Sequence, residues 1–236
     1  MASAISSPVS YQVTLMLRAQ RPQGRSSGLF CEVTSTLAPN QSERVTVVTS
    51  GAGRKTELYS IDWTVGDKDA IHDDDHLYSL PYASGTTYRI LQGYGSRFSH
   101  TGLEEFAIDF DMDVGTPVHA ARGGVVARVV DSNSKGCWEK GCGRYANYIV
   151  ILHNDGTTGE YYHLAQNGSI VEIGDSVSQG QKIGYSGNTG HTTMPHLHFA
   201  VYRATRNGDT QSIPVRFQAA DGIINRARRG GRHQAL

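Results

Sequence analysis

Two histidines near the end of the chain have the type and spacing that most directly indicate chemistry. His196 and His198 are separated by one residue in the segment PHLHFAV. Residues two apart on a β-strand project from the same face, so both imidazoles would lie close together. Neutral imidazole is a good zinc ligand, and a catalytic zinc typically takes three protein ligands and leaves one position open. The pair alone is weak evidence, because strand histidines also meet by chance.

Two earlier segments add candidate residues. His100 precedes Asp109 in SHTGLEEFAIDFDMDVGTPVHAA, where Asp109 lies at the centre of an alternating strand. This pair would supply one nitrogen and one oxygen ligand. In EYYHL, His163 shares a predicted strand face with Tyr161. Tyr161 is a weak candidate for contact with a reaction oxyanion and a better one for cross-strand packing.

With these motifs in this order, residues 93–203 resemble the LytM and lysostaphin family of zinc endopeptidases. The longest match is GDSVSQGQKIGYSGNTGHTTMPHLHF, which looks like the Gly-rich hairpin that leads into the family's last motif. The resemblance implies one zinc ion per chain, held by His100, Asp109 and His198.

The same resemblance implies an activity. His163 and His196 correspond to the two histidines of the family's site that do not bind zinc, and imidazole is suited to general acid and base catalysis. Zinc activates a water molecule for attack on a peptide bond. The implied substrate is peptidoglycan, cut at its peptide cross-links or bridges. The alternative function is that of a non-catalytic, wall-associated regulator of another hydrolase.

One spacing departs from the family pattern. The family usually places three residues between its first His and Asp, whereas eight residues separate His100 from Asp109. Glu104 stands at the usual position, and either carboxylate is competent to bind zinc. We favour Asp109, because its distance to the GTPV turn fits the family and because apolar residues alternate around it. The residues TGLEE would then loop out, with Glu104 as the alternative ligand.

Other histidines carry weaker signals. His191 and Met194 precede the His-x-His motif and are candidates to line a groove. His72 and His76 flank three consecutive aspartates, which is more typical of a solvated charged loop than of a second cation site.

The elements that must position these residues are predicted to be strands. Short alternating or apolar segments follow one another with no amphipathic helix between them: FAIDF, PVHAA, GVVARVV, NYIVILH, EYYHLA, QKIGYSG and HLHFAVY. Asp155 and Gly156 mark the turn of a hairpin. We therefore predict an all-β fold whose catalytic domain is an antiparallel sheet of the LytM and lysostaphin type, a duplicated-hybrid-motif-like architecture.

Composition shifts suggest three regions. Residues 1–84 contain alternating strand segments and are predicted to form a small β-sandwich. Residues 85–218 would form the zinc metallopeptidase domain. Residues 219–236 are rich in Arg and Gly without periodicity, which predicts a flexible basic tail.

Charge and hydropathy limit the function classes. Lys plus Arg and Asp plus Glu both number 22, so no global positive field is available to bind nucleic acid. No apolar run approaches the roughly 20 residues that span a bilayer. The first residues lack the pattern of a signal peptide, so we expect any native one to have been removed. We expect a secreted monomer, extracellular or periplasmic, whose partner is peptidoglycan.

Two of the three cysteines bracket a short loop. Cys137 and Cys142 enclose WEKG, a spacing that permits a local disulfide in an oxidising compartment, with two free thiols as the alternative. Cys31 lies in a strand-like segment and is expected to be a buried small side chain.

Overall fold

The computed structural model of the protein describes 2–6, 13–20, 29–38, 41–46 and 58–236. Within these residues, the chain divides into two compact units. The first comprises Met1–Ala70 and Ala204–Thr210, and the second comprises Ile71–Arg203 and Gln211–Leu236.

The first unit contains five strands: β1 Ala2–Ser6, β2 Val13–Gln20, β3 Leu29–Leu37, β4 Ser42–Thr46 and β5 Leu58–Val65. Strand β2 is the centre of a three-stranded antiparallel sheet with β3 and β5, and β1 pairs antiparallel with β4. The alternating segments are therefore strands, and their packing as a sandwich stays a prediction. Cys31 lies in β3, outside the residues whose side chains are described.

The second unit begins before the boundary predicted near residue 85. Its core includes three apolar side chains from residues 71–84, each at most 2% exposed: Tyr78, Leu80 and Tyr82. Residues 71–84 therefore lie in the second unit rather than in the first. Burial of their apolar side chains in the core of that unit stabilises this arrangement. The boundary falls inside the polar segment DKDAIHDDDH, residues 67–76, which has no strand pattern that would mark it in the sequence.

Seventeen strands lie wholly or mostly in the second unit, in chain order: β6 Leu77–Ser79, β7 Thr87–Gln92, β8 Ile108–Phe110, β9 Pro117–His119, β10 Gly124–Val130, β11 Gly136–Cys137, β12 Tyr148–Leu152, β13 Thr158–Tyr162, β14 Leu164–Ser169, β15 Ser176–Val177, β16 Lys182–Ser186, β17 Gly190–His191, β18 Leu197–Ala204, β19 Thr210–Ile213, β20 Arg216–Ala219, β21 Gly222–Ile224 and β22 Arg232–Gln234. Helical structure among the described residues is confined to two 3-10 turns, Gly102–Glu104 and Cys142–Tyr145. Within that part of the chain, no helix has the length and apolarity needed to cross a membrane.

The main sheet has the order β15-β10-β12-β13-β18-β8-β7-β22, with β19 also paired to β18. Strands β12 and β13 form the predicted hairpin, and Gly156 adopts a φ of 83° at its turn. Only glycine reaches such a φ without steric cost. Among the described strands, pairing is antiparallel apart from the short parallel pairs β11–β17 and β6–β20. Together with the confinement of helical structure to two 3-10 turns in that part of the chain, this confirms the predicted all-β class.

Strand β18 separates the core from the candidate site. Leu197, Phe199 and Val201 are fully buried in the core cluster. The side-chain period of a strand is two, so His198 and Tyr202 project from the opposite face. The ring of Phe199 packs 5.0 Å from that of Tyr161, which fixes this strand against β13.

The last residues of the chain form strands, so the flexible tail predicted for 219–236 is not what the structure contains. Strand β22 pairs antiparallel with β7, and β20 pairs with both β21 and β6. Four side chains of this region are buried in the core: Ala219, Ile224, Ala227 and Ala235. The prediction failed because the few apolar residues of this region are scattered among Arg and Gly and show no periodicity. The region is instead ordered by backbone hydrogen bonds between β22 and β7, which would otherwise be an exposed sheet edge.

Candidate metal centre and active site

Strand pairing places Asp109 beside His198. The two residues are register partners between β8 and β18, and Asp109 Oδ1 lies 2.9 Å from His198 Nδ1. Ile108 and Phe110, on either side of Asp109, are buried in the core. Asp109 therefore faces away from the core, as the alternation of β8 predicted.

His100 completes a group of three. It lies in the loop before the 3-10 turn Gly102–Glu104, and its Nε2 is 3.2 Å from Asp109 Oδ1. One ligand atom from each of His100, Asp109 and His198 lies within 4.8 Å of the others. His100 is 1% exposed, and neither of its ring nitrogens has a hydrogen-bond partner among the described residues. A buried polar atom without a partner is costly, and an ion would provide one.

Glu104, the alternative oxygen ligand, lies outside this group. Its Oε2 accepts a 2.5 Å hydrogen bond from the Tyr202 hydroxyl and lies 3.8 Å from His198 Nε2. The same hydroxyl is 3.4 Å from His198 Nε2. Glu104 and Tyr202 therefore approach the nitrogen of His198 that points away from Asp109.

His163 and His196 lie next to the group. Their rings are 4.5 Å apart, and the ring of His163 is 6.0 Å from that of His198. His163 follows the end of β13 with a φ of 65°, an uncommon left-handed conformation for a residue other than glycine. This turn of the backbone directs its side chain to the site, whereas Tyr161 is fully buried in the core. Tyr161 is a packing residue, and its hydroxyl accepts a hydrogen bond from the Ala121 N–H.

Backbone carbonyls fix the tautomers of these two histidines. His163 Nδ1 lies 2.7 Å from the Thr189 carbonyl oxygen, and His196 Nδ1 lies 2.8 Å from that of Met194. A carbonyl only accepts, so each Nδ1 must carry the proton. In the neutral imidazoles Nε2 is then left as an acceptor.

The charges of the site follow from burial and hydrogen bonding. Burial, with the nearby His196 and His198, lowers the pKa of His163 to about 3, and burial also lowers the pKa of His196. Both are therefore neutral near pH 7. Burial opposes protonation of His198, but its bonds to Asp109 and Glu104 outweigh that effect and raise its pKa to about 10.

Asp109 has the opposite shift. Burial raises the pKa of its carboxyl, yet the nearby imidazole of His100 and the hydrogen-bonded imidazole of His198 outweigh burial and hold that pKa well below its usual value. Asp109 is thus a buried carboxylate ion, and the site attracts positive charge.

A cavity of about 420 Å³ opens onto the group. Its lining includes all five predicted site residues: His100, Asp109, His163, His196 and His198. The predicted groove residues His191 and Met194 also line it. The lining residues that sequence reasoning missed include Arg89, Phe98, Trp138 and Arg229, which belong to no catalytic motif.

A disulfide holds one wall of the cavity. Cys137 and Cys142 are bonded, as one of the two alternatives predicted, with Cα atoms 5.7 Å apart. The loop they close carries Trp138, whose ring stacks 5.2 Å from Phe98 and 4.2 Å from His191. Phe98 and Trp138 stay 65% and 50% exposed. The crosslink therefore positions an open aromatic surface beside the metal-ligand group.

The aspartate loop does not form a comparable group. His72 Nδ1 bonds to Asp74, and Asp75 pairs with Arg216. Among the described residues, the three-residue group of His100, Asp109 and His198 is the arrangement with convergent metal-ligand atoms. A solvated charged loop is thus the better description of residues 72–76.

Comparison with known proteins agrees with the residue pattern. Residues 104–212 match peptidase family M23. The chain is 34% identical over 137 residues to the glycyl-glycine endopeptidase ALE-1 of Staphylococcus capitis, covering 57% of this chain and 35% of that protein. It is 32% identical over 155 residues to lysostaphin of Staphylococcus simulans, covering 65% of this chain and 29% of lysostaphin.

A third relative comes from another bacterial group. The peptidoglycan DD-endopeptidase ShyA of Vibrio cholerae is 35% identical over 140 residues, covering 57% of this chain and 30% of ShyA. The chain therefore spans about a third of the length of these relatives. The segment matched to the family contains Asp109, His163, His196 and His198, and His100 lies just before it.

Proposed function

Residues 104–212 match peptidase family M23, and on this basis we propose that this chain is a zinc-dependent endopeptidase of bacterial peptidoglycan. The observation that carries the proposal is the convergence of His100, Asp109 and His198 within 4.8 Å. Two imidazoles and one carboxylate are a donor set typical of catalytic zinc, with a further position open. The buried nitrogens of His100, which lack partners among the described residues, fit such an ion.

His100, Asp109 and His198 would hold the zinc ion. Their candidate ligand atoms are His100 Nε2, Asp109 Oδ1 and His198 Nδ1, the atoms that approach one another in the structure. A bound zinc supplies a Lewis acid that polarises the scissile carbonyl and makes water nucleophilic near neutral pH.

His163 and His196 are proposed to move protons. Each presents an unprotonated Nε2, because its Nδ1–H is donated to a backbone carbonyl. A neutral imidazole accepts a proton from the attacking water and afterwards returns it to the leaving amine. The fixed ring orientation removes the need to reorganise the two side chains during the reaction.

Glu104 and Tyr202 are proposed to position His198. They approach its Nε2, at 3.8 Å and 3.4 Å, and so leave Nδ1 directed to Asp109. Outer partners of this kind fix the tautomer and ring orientation of a metal-binding histidine. Glu104 therefore supports the site from behind His198, and Asp109 supplies the oxygen ligand.

The presence of all five residues in one cavity favours an enzyme over a non-catalytic regulator. A regulator needs neither a ligand set nor two oriented histidines, and both are present here. The relatives named for glycyl-glycine and DD-endopeptidase activities support a peptide bond of peptidoglycan as the target. Because that polymer lies outside the cytoplasmic membrane, we propose an extracellular or periplasmic location, with the chain acting as a monomer.

Metal analysis and wall digestion test the proposal together. The purified chain is expected to contain close to one zinc per molecule and to release peptide fragments with new amino groups from purified peptidoglycan. Chelation should stop the release, and added zinc should restore it. A protein that stays metal-free after zinc is supplied and leaves peptidoglycan intact would disprove the proposal.

A further inference from the structure

Two arginines line the cavity without a carboxylate to neutralise them. Arg89 and Arg229 are exposed at its rim. Two other arginines of the second unit have acidic partners: Arg122 bonds to Asp155 and Arg216 to Asp75. Among the described residues, Arg89 and Arg229 have no such partner. Their guanidinium groups are therefore available to a ligand in the cavity.

Arg89 and Arg229 are held near each other by the backbone. Arg89 belongs to β7, and Arg229 precedes β22, which pairs with β7. The Gly230 N–H donates to the Ile90 carbonyl and the Ile90 N–H donates to the Gly231 carbonyl, both at 2.8 Å. These bonds join the residue that follows Arg89 to the two residues that follow Arg229. Arg229 thus lies in the turn that leads into the strand pair β22–β7, not in a flexible tail.

Gly93 allows the segment that carries Arg229 to pack closely against the chain that follows β7. The Tyr94 N–H donates to the Ala227 carbonyl at 3.1 Å. A Cβ at the neighbouring Gly93 would lie 2.3 Å from that carbonyl oxygen, which is closer than atoms can approach. The segment that carries Arg229 is therefore fitted closely to the chain after β7.

The remaining charges of the cavity are already committed. Glu104 accepts the hydrogen bond of Tyr202, and Asp109 belongs to the proposed metal site. Arg89 and Arg229 are thus surplus positive charge beside the site. The planar guanidinium carries a fork of donors that matches the two oxygens of a carboxylate, and such charge-assisted pairs are strong.

We propose that Arg89 and Arg229 bind a free carboxylate of the peptide substrate close to the scissile bond. This inference rests on the proposed endopeptidase function and specifies its substrate class. A bridge made only of glycine has no carboxylate along its length, whereas a cross-link between acidic peptides does. The chain therefore prefers carboxylate-bearing cross-links over neutral glycine bridges.

The placement of the two arginines favours a peptide carboxylate over a long anionic polymer. Arg226, Arg228 and Arg232 are exposed on the same segment, but they do not line the cavity. A polymer bound across the surface would use these residues as well. Among the arginines of the described residues, only Arg89 and Arg229 line the cavity together with the proposed metal ligands.

A matched pair of substrates tests the inference. Cross-linked muropeptides released from purified walls are used as obtained and after conversion of their carboxylates to carboxamides, with the zinc-loaded full chain. For the wild type, kcat/KM is expected to be about tenfold higher on the carboxylate form, a ratio equal to about 1.4 kcal/mol. Arg89→Gln and Arg229→Gln should each lower this ratio severalfold, and the double variant should bring it close to one.

Arg228→Gln is the matched control, because it removes one exposed arginine of the same segment outside the cavity. It should keep the wild-type ratio, while zinc content and thermal unfolding confirm that all variants are folded. A wild-type ratio near one would refute the carboxylate subsite while leaving the endopeptidase function intact. Equal losses in Arg228→Gln and Arg229→Gln, or losses seen only in binding to whole walls, would assign the arginines to an anionic polymer instead. If no muropeptide is cleaved, both the function and the subsite fail.

Discussion

The imidazole of His100 shows how one residue reveals the chemistry of the site. It is 1% exposed, yet both nitrogens lack hydrogen-bond partners among the described residues. Each unsatisfied buried group costs about 1–3 kcal/mol, so a fold does not keep such a residue without compensation. A metal ion shared with Asp109 and His198 supplies that compensation, which makes the identity of the oxygen ligand directly testable.

Asp109→Ala is expected to abolish zinc retention, because it removes the oxygen ligand at the centre of the group. Glu104→Gln should keep the zinc but bind it roughly tenfold more weakly, since it alters only the support behind His198. Zinc is measured after dialysis against metal-free buffer, and its affinity by competition with a chelating dye. Loss of zinc in Glu104→Gln with retention in Asp109→Ala would show that Glu104 is the ligand.

His163→Ala and His196→Ala are expected to separate metal binding from catalysis. Both variants should retain zinc, because neither side chain belongs to the convergent group. Activity should fall by roughly 100- to 10,000-fold, the range typical of losing a general acid or base. Kinetics on solubilised peptidoglycan would be compared with zinc content. A variant that loses its zinc would have to be reassigned as a ligand.

At the scale of elements, hairpin β12–β13 positions both the core and the site. Its turn is fixed by Asp155, which accepts hydrogen bonds from Arg122 at 2.6 Å and from the Thr157 hydroxyl at 2.6 Å. Its far end leads into His163, where the positive φ breaks the strand alternation and redirects the imidazole. The hairpin of β12 and β13 therefore positions both the Asp155 turn at one end and His163 at the other.

The Asp155 turn predicts a pH dependence of stability. Burial raises the pKa of Asp155, but hydrogen bonds from Thr157 and Arg122 outweigh it and lower that pKa to about 2. Because the folded pKa lies below the unfolded value, the stabilisation is present above about pH 4 and is lost as the pH falls toward 2. Asp155→Asn should thus be less stable than the wild type at pH 7, with the difference shrinking in acid, as measured by urea unfolding.

Asp113→Asn provides the control for this measurement. Asp113 is exposed, and no hydrogen bond to its carboxylate is found among the described residues. Its substitution should leave unfolding close to that of the wild type at either pH. A stability difference for Asp155→Asn that stays constant from pH 7 to pH 2 would contradict the proposed role of the ionised carboxylate.

At the scale of the whole molecule, the second unit is assembled from distant parts of the sequence. Strand β6 near its start pairs with β20, and β22 at the end of the chain pairs with β7. The ring of Tyr78 lies 6.4 Å from that of Phe217, inside one core cluster. Both ends of the unit are therefore required to close its core.

Two truncations test this boundary. A fragment of residues 71–236 is expected to fold, whereas a fragment that starts at Ser84 lacks Tyr78, Leu80 and Tyr82. Removing one large buried aromatic side chain costs about 3–5 kcal/mol, so the shorter fragment should be much less stable or unfolded. Thermal unfolding followed by circular dichroism makes the comparison. Equal unfolding midpoints would show that residues 71–83 are dispensable to this core.

The sequence by itself determined the all-β class, the hairpin at Asp155 and Gly156, and the residues of the candidate site. These features depend on local properties, namely strand alternation, turn residues and the spacing of motifs. The LytM and lysostaphin resemblance added roles to His100, Asp109, His163, His196 and His198, and those roles stay predictions that the variants above test.

Only the tertiary structure decided which side chains meet across the chain. It placed Asp109 rather than Glu104 among the convergent ligand atoms, put Glu104 behind His198 and brought Arg89 and Arg229 into one cavity. It also replaced the predicted flexible tail with strands and moved residues 71–84 to the second unit. These outcomes depend on pairing between distant segments, and the energy of such contacts comes from burial and strand edges that no local pattern records.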